Sequence, residues 1–513
     1  GQKASCVFYI AKRYFRGHSG GALHVRATEN EIKSMTEEAK PKTQILQGEA
    51  ALALWRKGRD AWNSWIAQHP GWDISFIDAD FSSERDSEGN LYFSGYHFGD
   101  GCVDFSLAIF GDGNVNFSKA VFGDGDVDFS VTTFGDSNVN FSRTTFGDGI
   151  LDFSMATFGK GTVNFNKATF GDGNVSFSDT TFGDGNVNFS KTNFGNGDVN
   201  FSYSTFGDSD LDFSGASFGN GNLNVSEISF GSGKMDFNKA SFGDGNLDFT
   251  HTNLRDLLFA PKALGSGDID APFLSVERLA FLILPPSADK LKSLNLYGAS
   301  LDGMLALSGK LGIIPDLRAT RYSHQVDLSA LNVKLPRRWK EFGWPPKLSA
   351  VTEDPKDAAK LRRLKEIAET NKDHQAALRF SADENRAKRW IETSWFGSVL
   401  DMAFSACSNY GQSILRPFVA LFLLAAASMG IYKELATSTF TAWWKAWEHA
   451  TLLSISNSLP FLPQSRGLRE DALKALYPGD PGFWIDALMI GQGALSFVFL
   501  FLIGLGLRNR FRL

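Results

Sequence analysis

The sequence predicts a mixed fold: a four-sided β-helix solenoid, a helical linker, and two transmembrane α-helices with an intervening pore-loop-like segment. Three observations predict it. A ladder of phenylalanines runs from Phe93 to Phe249 at gaps that alternate between five and seven residues, with Val225 the one substitute on a rung. Two uncharged, mostly apolar runs span 417–432 and 487–507. Between ladder and runs lies a highly charged stretch, 355–389, with an apolar stripe at helical spacing. Strict self-similarity at a short period marks a solenoid, whose units bury their apolar faces only against their neighbours. About 20 apolar residues in a helix match the thickness of a bilayer core.

Composition sets the bounds. The chain of 513 residues is long enough for several domains, and the ladder accounts for much of its 46 Phe and 51 Gly. The net charge of −6 hides an asymmetry: residues 91–250 hold 20 acidic and 7 basic side chains, so the remainder carries +7. Three cysteines, Cys6, Cys102 and Cys407, lie far apart without metal-ligand spacing. They argue against a disulfide framework or zinc site and fit a reducing compartment. The sequence begins at Gly1, so the natural start is expected upstream, and the first stretch lacks the long apolar core of a signal peptide.

Residues 1–72 read as a helical N-terminal cap. Ala50, Leu52, Leu54, Trp55, Trp62 and Trp65 fall near helical spacing and Pro70 closes the pattern. Such a cap hides the first coil of a solenoid.

Residues 73–255 are the solenoid of twelve-residue repeats. Val115 precedes Phe117 by two, Ala120 precedes Phe122, Val127 precedes Phe129 and Thr132 precedes Phe134. Alternation puts positions i and i−2 on one face of a short strand. A twelve-residue coil cannot enclose two phenylalanines and their partners, so two repeats make one four-sided coil of about 24 residues. Seven such coils give a rod about 34 Å long at the usual strand spacing. The Gly-Asp-Gly turns are expected to supply positive φ at the corners. Asn116, Asp128, Asn140, Asp152 and Asn164 should stack outside as a structural polar ladder. A calcium-binding reading of the turns fails for want of the nonapeptide pattern, and no metal or cofactor is expected.

The segments DISFIDADFSS and NLYGASLDG carry the shorter form of the rule, with Phe76 and Phe81, then Leu296 and Leu301, five apart. A bulky apolar residue every five, with a smaller one two before it, resembles the pentapeptide-repeat proteins. The resemblance implies a right-handed quadrilateral β-helix, here with two residues inserted at every second corner. Residues 256–354, rich in proline, are expected to be degenerate coils, a cap and a linker. Residues 355–412 are expected to hold a charged helical hairpin, with Leu361, Leu364, Ile367, Ala368, Ala377 and Leu378 as its apolar stripe.

Residues 413–513 form the expected two-span domain, in contact with the lipid bilayer. The loop between the runs carries Trp443, Trp444 and Trp447, suited to an interfacial belt. A short helix is expected over 441–453, followed by a polar loop with Ser454, Ser456, Asn457, Ser458, Pro460 and Pro463. Span, short helix, polar loop, span is the plan of a pore-loop channel. The run WWKAWEHAT resembles the pore helix of two-span potassium-type channels through Trp443, Trp444, Glu448, Ala450 and Thr451; the TVGYG-type filter is absent, so potassium selectivity is not implied. The stretches LRRLKEIAETNKDHQAALRFSADENRAKRW and SNYGQSILRPF, with the closing LGLRNRFRL, resemble pentapeptide-repeat proteins that carry a C-terminal ion-channel segment.

The pore and filter candidates are therefore Glu448, His449, Thr451, Ser454, Ser456, Asn457 and Ser458, with Asp486 and Gln492 as intramembrane polar groups. The bland alternatives are a surface helix held by tryptophans, an N-terminal anchor for Asp486 and a helix contact for Gln492. Basic residues flank both runs (Arg386, Lys388, Arg389 and Arg416; Arg508, Arg510 and Arg512), which places both termini in the cytoplasm by the positive-inside rule. No cluster of nucleophile, base and orienting group emerges, so no enzyme is expected. The sequence reading is an oligomeric cation channel of a bacterial inner membrane, tetrameric by analogy, with the acidic solenoid as sensor or coupling element. The alternative is a membrane-anchored scaffold without conductance that binds a cytosolic protein through its solenoid. A lesser alternative is a DNA-mimicking rod that binds topoisomerase; nucleic acid itself is not expected as a partner.

Overall fold

A computed structural model describes residues 44–322, 326–339, 346–439, 442–459, 463–479 and 481–511. The expected helix in residues 1–43, and the positions of Pro345, Thr441, Pro460 and Arg512, lie outside them. The chain divides into two compact units. One comprises the residues up to 336 together with 366–376; the other comprises 337–365 and 377–513.

The first unit is a parallel β-solenoid of about 12 turns over residues 45–333. Val115 pairs with Val139, and Val139 with Val163, so each coil advances 24 residues as the packing argument requires. Four columns of aromatic rings fill the interior. Phe98 stacks on Phe122 at 4.4 Å and Phe105 on Phe129 at 4.8 Å, each pair with planes 1° apart. Rings of neighbouring columns meet edge to face, as Phe117 and Phe129 do at 5.6 Å, the geometry that the aromatic quadrupole favours. The small residue two before alternate phenylalanines is buried. Where it is threonine, its hydroxyl donates to a carbonyl of the coil before, as Thr144 does to Phe117 O at 2.8 Å.

The corners depart from the expectation. Positive φ falls on the residue two after each strand phenylalanine, whatever its identity: Lys119 at 59°, Val131 at 58°, Arg143 at 57°, Met155 at 57°. This conformation is costly for a side chain with a Cβ. Each such amide is held by the next coil, Lys119 N donating to Ser142 O at 3.0 Å and Val131 N to Ser154 O at 2.9 Å. Among the turn glycines, positive φ is confined to the first coils, at Gly99, Gly111, Gly113 and Gly135; the later ones serve close approach. A Cβ at Gly149 would overlap the Gly125 carbonyl, yet Gly149 does not have positive φ.

The polar ladder divides into two columns on different faces, Asn116–Asn140–Asn164 and Asp104–Asp128–Asp152, one coil per step. Each side chain closes a local turn; Asp128 Oδ1 accepts from Ser130 N at 2.7 Å. Half-burial, with Asp104 and Asp152 in the same column, pushes the Asp128 carboxyl up to about 6. The turn aspartates bridge coils: Asp148 Oδ1 accepts from Asp172 N at 2.9 Å.

The solenoid runs further than the ladder at both ends. Ile45–Gln47 pairs with Asp73–Ser75 as a first strand. Two helices follow that strand, α1 (Gly48–Arg56) and α2 (Arg59–Gln68), broken at Gly58 with φ 89°. They pack on the first coil: Trp55 stacks on Phe93 at 5.3 Å and Trp62 on Phe76 at 5.9 Å. Beyond Phe249 strands lengthen, as in Asn253–Phe259, Ser275–Ile283 and Met304–Leu311, and past Phe259, which still stacks on Phe242 at 5.9 Å, aliphatic residues fill the core. Cys407 is a free thiol.

The second unit is mainly helical. Two helices, α3 (Asp357–Thr370) and α4 (His374–Lys388), straddle the division, with 366–376 in the first unit, and Leu361, Leu364 and Ile367 are fully buried. Then come α5 (Trp395–Ser408), α6 (Leu415–Glu434), α7 (Trp443–Ser458), α8 (Ser465–Leu476) and α9 (Phe483–Phe511). Helices α6 and α9 are long and apolar enough to cross a membrane, with mean hydropathy 1.7 and 2.2 in their most apolar windows. Only 17% of each window is buried. Phe422, Ile490, Phe497 and Phe501 stand exposed, an arrangement that water penalises and lipid does not.

Candidate functional site

The polar residues between the two apolar helices are drawn to one point. Gln492, in the middle of α9, is 2% exposed. Its Nε2 lies 3.0 Å from Ser454 O, 2.9 Å from Ser454 Oγ and 3.0 Å from Ser458 Oγ. Its Oε1 accepts from Tyr432 OH on α6 at 2.8 Å and from Asn457 Nδ2 on α7 at 3.2 Å. Asn457 Nδ2 also donates to Met489 O at 2.8 Å, and Ser454 Oγ to Ala425 O at 2.7 Å. One amide thus ties α6, α7 and α9 together. Tyr477, just past α8, adds a fourth element by donating to Tyr432 O at 2.9 Å. Away from water an unpaired amide is expensive, so a fully engaged glutamine acts as a fixed link between helices.

This placement decides how each candidate can act. Ser454, Asn457 and Ser458 are buried and face Gln492 of the same chain. Ser456 is buried too and turns back on its own helix, donating to Leu453 O at 3.0 Å. Thr451 is half-buried and donates to Trp447 O at 2.7 Å. His449 is half-buried, and Glu448 is exposed. Asp486 stands exposed in the first turn of α9, where a carboxylate suits the helix dipole. The structure therefore gathers four of the sequence candidates (Ser454, Asn457, Ser458 and Gln492) and leaves Glu448, His449, Thr451 and Asp486 apart.

Where a polar loop was expected after residue 453, α7 continues to Ser458. Its hydroxyls and amide bond to backbone and to Gln492, so they no longer compete with the helix as they would in water. Two further elements went unread. Helix α8 packs Ala472 and Leu476 into an apolar cluster with Ala450, Leu453, Tyr432 and Ile485. Helix α5 bears exposed Phe396 and Leu400. At its C-terminal side, buried Arg389 donates from Nε to Asp401 Oδ2 at 2.8 Å and from a terminal nitrogen to Tyr410 OH at 2.9 Å. Tyr410 OH donates in turn to Asp401 Oδ2 at 2.9 Å, closing a triad. Arg389 was read only as a topology charge, and nothing in the local sequence pairs it with Asp401.

No protein-family model, curated protein or solved structure matches this chain.

Proposed function

We propose that the protein is a membrane-anchored solenoid scaffold: α6 and α9 hold it in the bilayer, and the solenoid offers a long repetitive surface to partners. The polar knot at Gln492 carries this reading. A conduction path needs polar groups that remain available to ions, whereas Ser454, Asn457 and Ser458 are engaged within one chain. The kinship with pentapeptide-repeat proteins belongs to the same reading, supported by the 24-residue coil with its four ring columns. Cytoplasmic termini rest on the charges that flank α6 and α9.

An oligomeric cation channel is the second reading, and one observation favours it. Trp444, Glu448, Thr451 and Ile455 form one stripe along α7, with Trp444 and Ile455 about half exposed and Glu448 exposed. A carboxylate on a helix beside two lipid-length spans is a place where copies of the chain can meet around water. Reconstituting the full chain in liposomes separates the two. The scaffold reading expects no cation flux above that of empty vesicles. A flux whose selectivity changes in Glu448→Gln would overturn it in favour of the channel.

A further inference from the structure

The acidic solenoid carries one basic line. Of the seven basic residues in 91–250, five share a single corner column: Lys119, Arg143, Lys167, Lys191 and Lys239, interrupted by Gly215. The five are exposed, and none forms an ion pair among the described residues. The first four occupy successive coils, so their backbone anchors are about 4.8 Å apart and the line is about 14 Å long.

The same face ends in an acidic line. The strand that leaves this corner presents Val121, Thr145, Thr169 and Asn193 outward. It ends at the turn column Asp100, Asp124, Asp148 and Asp172, which continues as Asn196, Asn220 and Asp244. These four aspartates are exposed and also occupy successive coils. One flat face, uncharged along its middle, is therefore bordered by four cations on one side and four anions on the other, at the same spacing.

We propose that this face docks on the same face of a second copy of the chain, with the two solenoids parallel. A two-fold axis along the solenoid direction sets the basic column of each copy on the acidic column of the other, at both borders, and brings Thr145 next to its own counterpart. A two-fold perpendicular to that direction would set lysine against lysine. The self-complementary pattern suits an isologous dimer, and equal periods set Lys119, Arg143 and Lys167 level with Asp124, Asp148 and Asp172 of the other copy. The inference names a partner for the scaffold reading and rests on it for biological sense.

The test uses the full chain in detergent, in a Cys407→Ser background, with Thr145→Cys on the proposed face or Thr157→Cys on the opposite one. Mild oxidation is expected to give a covalent dimer for Thr145→Cys and none for Thr157→Cys. That dimer is expected to be lost when Lys119, Arg143, Lys167 and Lys191 are all changed to Gln. It is also expected to be lost when salt is raised from about 50 mM to about 500 mM, since exposed charges are screened within angstroms. No dimer from Thr145→Cys, equal dimer from both cysteines, or a dimer that survives the four Gln substitutions overturns the proposal. So does salt-sensitive flotation of the chain with anionic vesicles that depends on the four cations, which would assign the ridge to lipid. Cation flux in liposomes would instead defeat the scaffold reading and leave this result standing.

Discussion

The two units handle polar groups in opposite ways. The solenoid spreads them out: a turn carboxylate accepts one amide from the next coil, a threonine hydroxyl caps one carbonyl, and the arrangement recurs every 24 residues. The helical unit concentrates them, with one glutamine of α9 holding side chains or backbone of two other helices. Repetition makes individual polar contacts expendable and backbone spacing critical. Concentration makes one residue critical and leaves the apolar surface free to meet lipid.

The comparison can be broken most sharply at the coil spacing. Gly149→Ala forces a methyl into the Gly125 carbonyl. It is expected to cost more than about 4 kcal/mol, the range reserved for a change the backbone cannot absorb, and limited proteolysis should then cut within that coil. Gln492→Leu comes next. It removes a hydrogen-bond partner from Tyr432, Asn457 and two serines, and about 2 kcal/mol should be lost, read as a lower unfolding midpoint in detergent. A loss too small to measure would show that the knot does not hold the helices.

Two smaller effects concern the distributed unit. The Asp128 carboxyl titrates near 6 in the folded chain against a usual 3.8. Its raised value means that the fold favours the protonated form, so wild-type stability falls as pH rises through about 4 to 6. Asp128→Asn should match wild type near pH 4 and exceed it by about 1 kcal/mol at neutral pH, less than the full shift because solvent reaches the group. Equal stability at both pH values would contradict the assignment. Asp148→Ala, which removes one of many equivalent amide acceptors, should cost about 0.5–1 kcal/mol, and chemical denaturation can resolve it.

How much the sequence revealed follows the same division. Phenylalanine spacing specified the 24-residue coil, because volume alone excludes a shorter one, and the cap tryptophans showed at helical spacing. Positive φ at the turn glycines holds only in the first coils; close approach between coils leaves no mark that separates it from a need for positive φ. In the helical unit the two long apolar runs were plain. The knot was not: Ser454, Asn457 and Ser458 resemble a loop when read locally, and their partner Gln492 lies more than thirty residues away. Arg389 and Asp401 pose the same problem, a long-range pair with no periodic signature.

Gln492 joins the two long helices within one chain. A double-mutant cycle of Tyr432→Phe and Gln492→Leu, read as unfolding free energy of the full chain in detergent, tests it most directly. This link predicts non-additive losses with a coupling of about 1 kcal/mol, as for residues that share a hydrogen bond. Losses that add to within about 0.3 kcal/mol would contradict it.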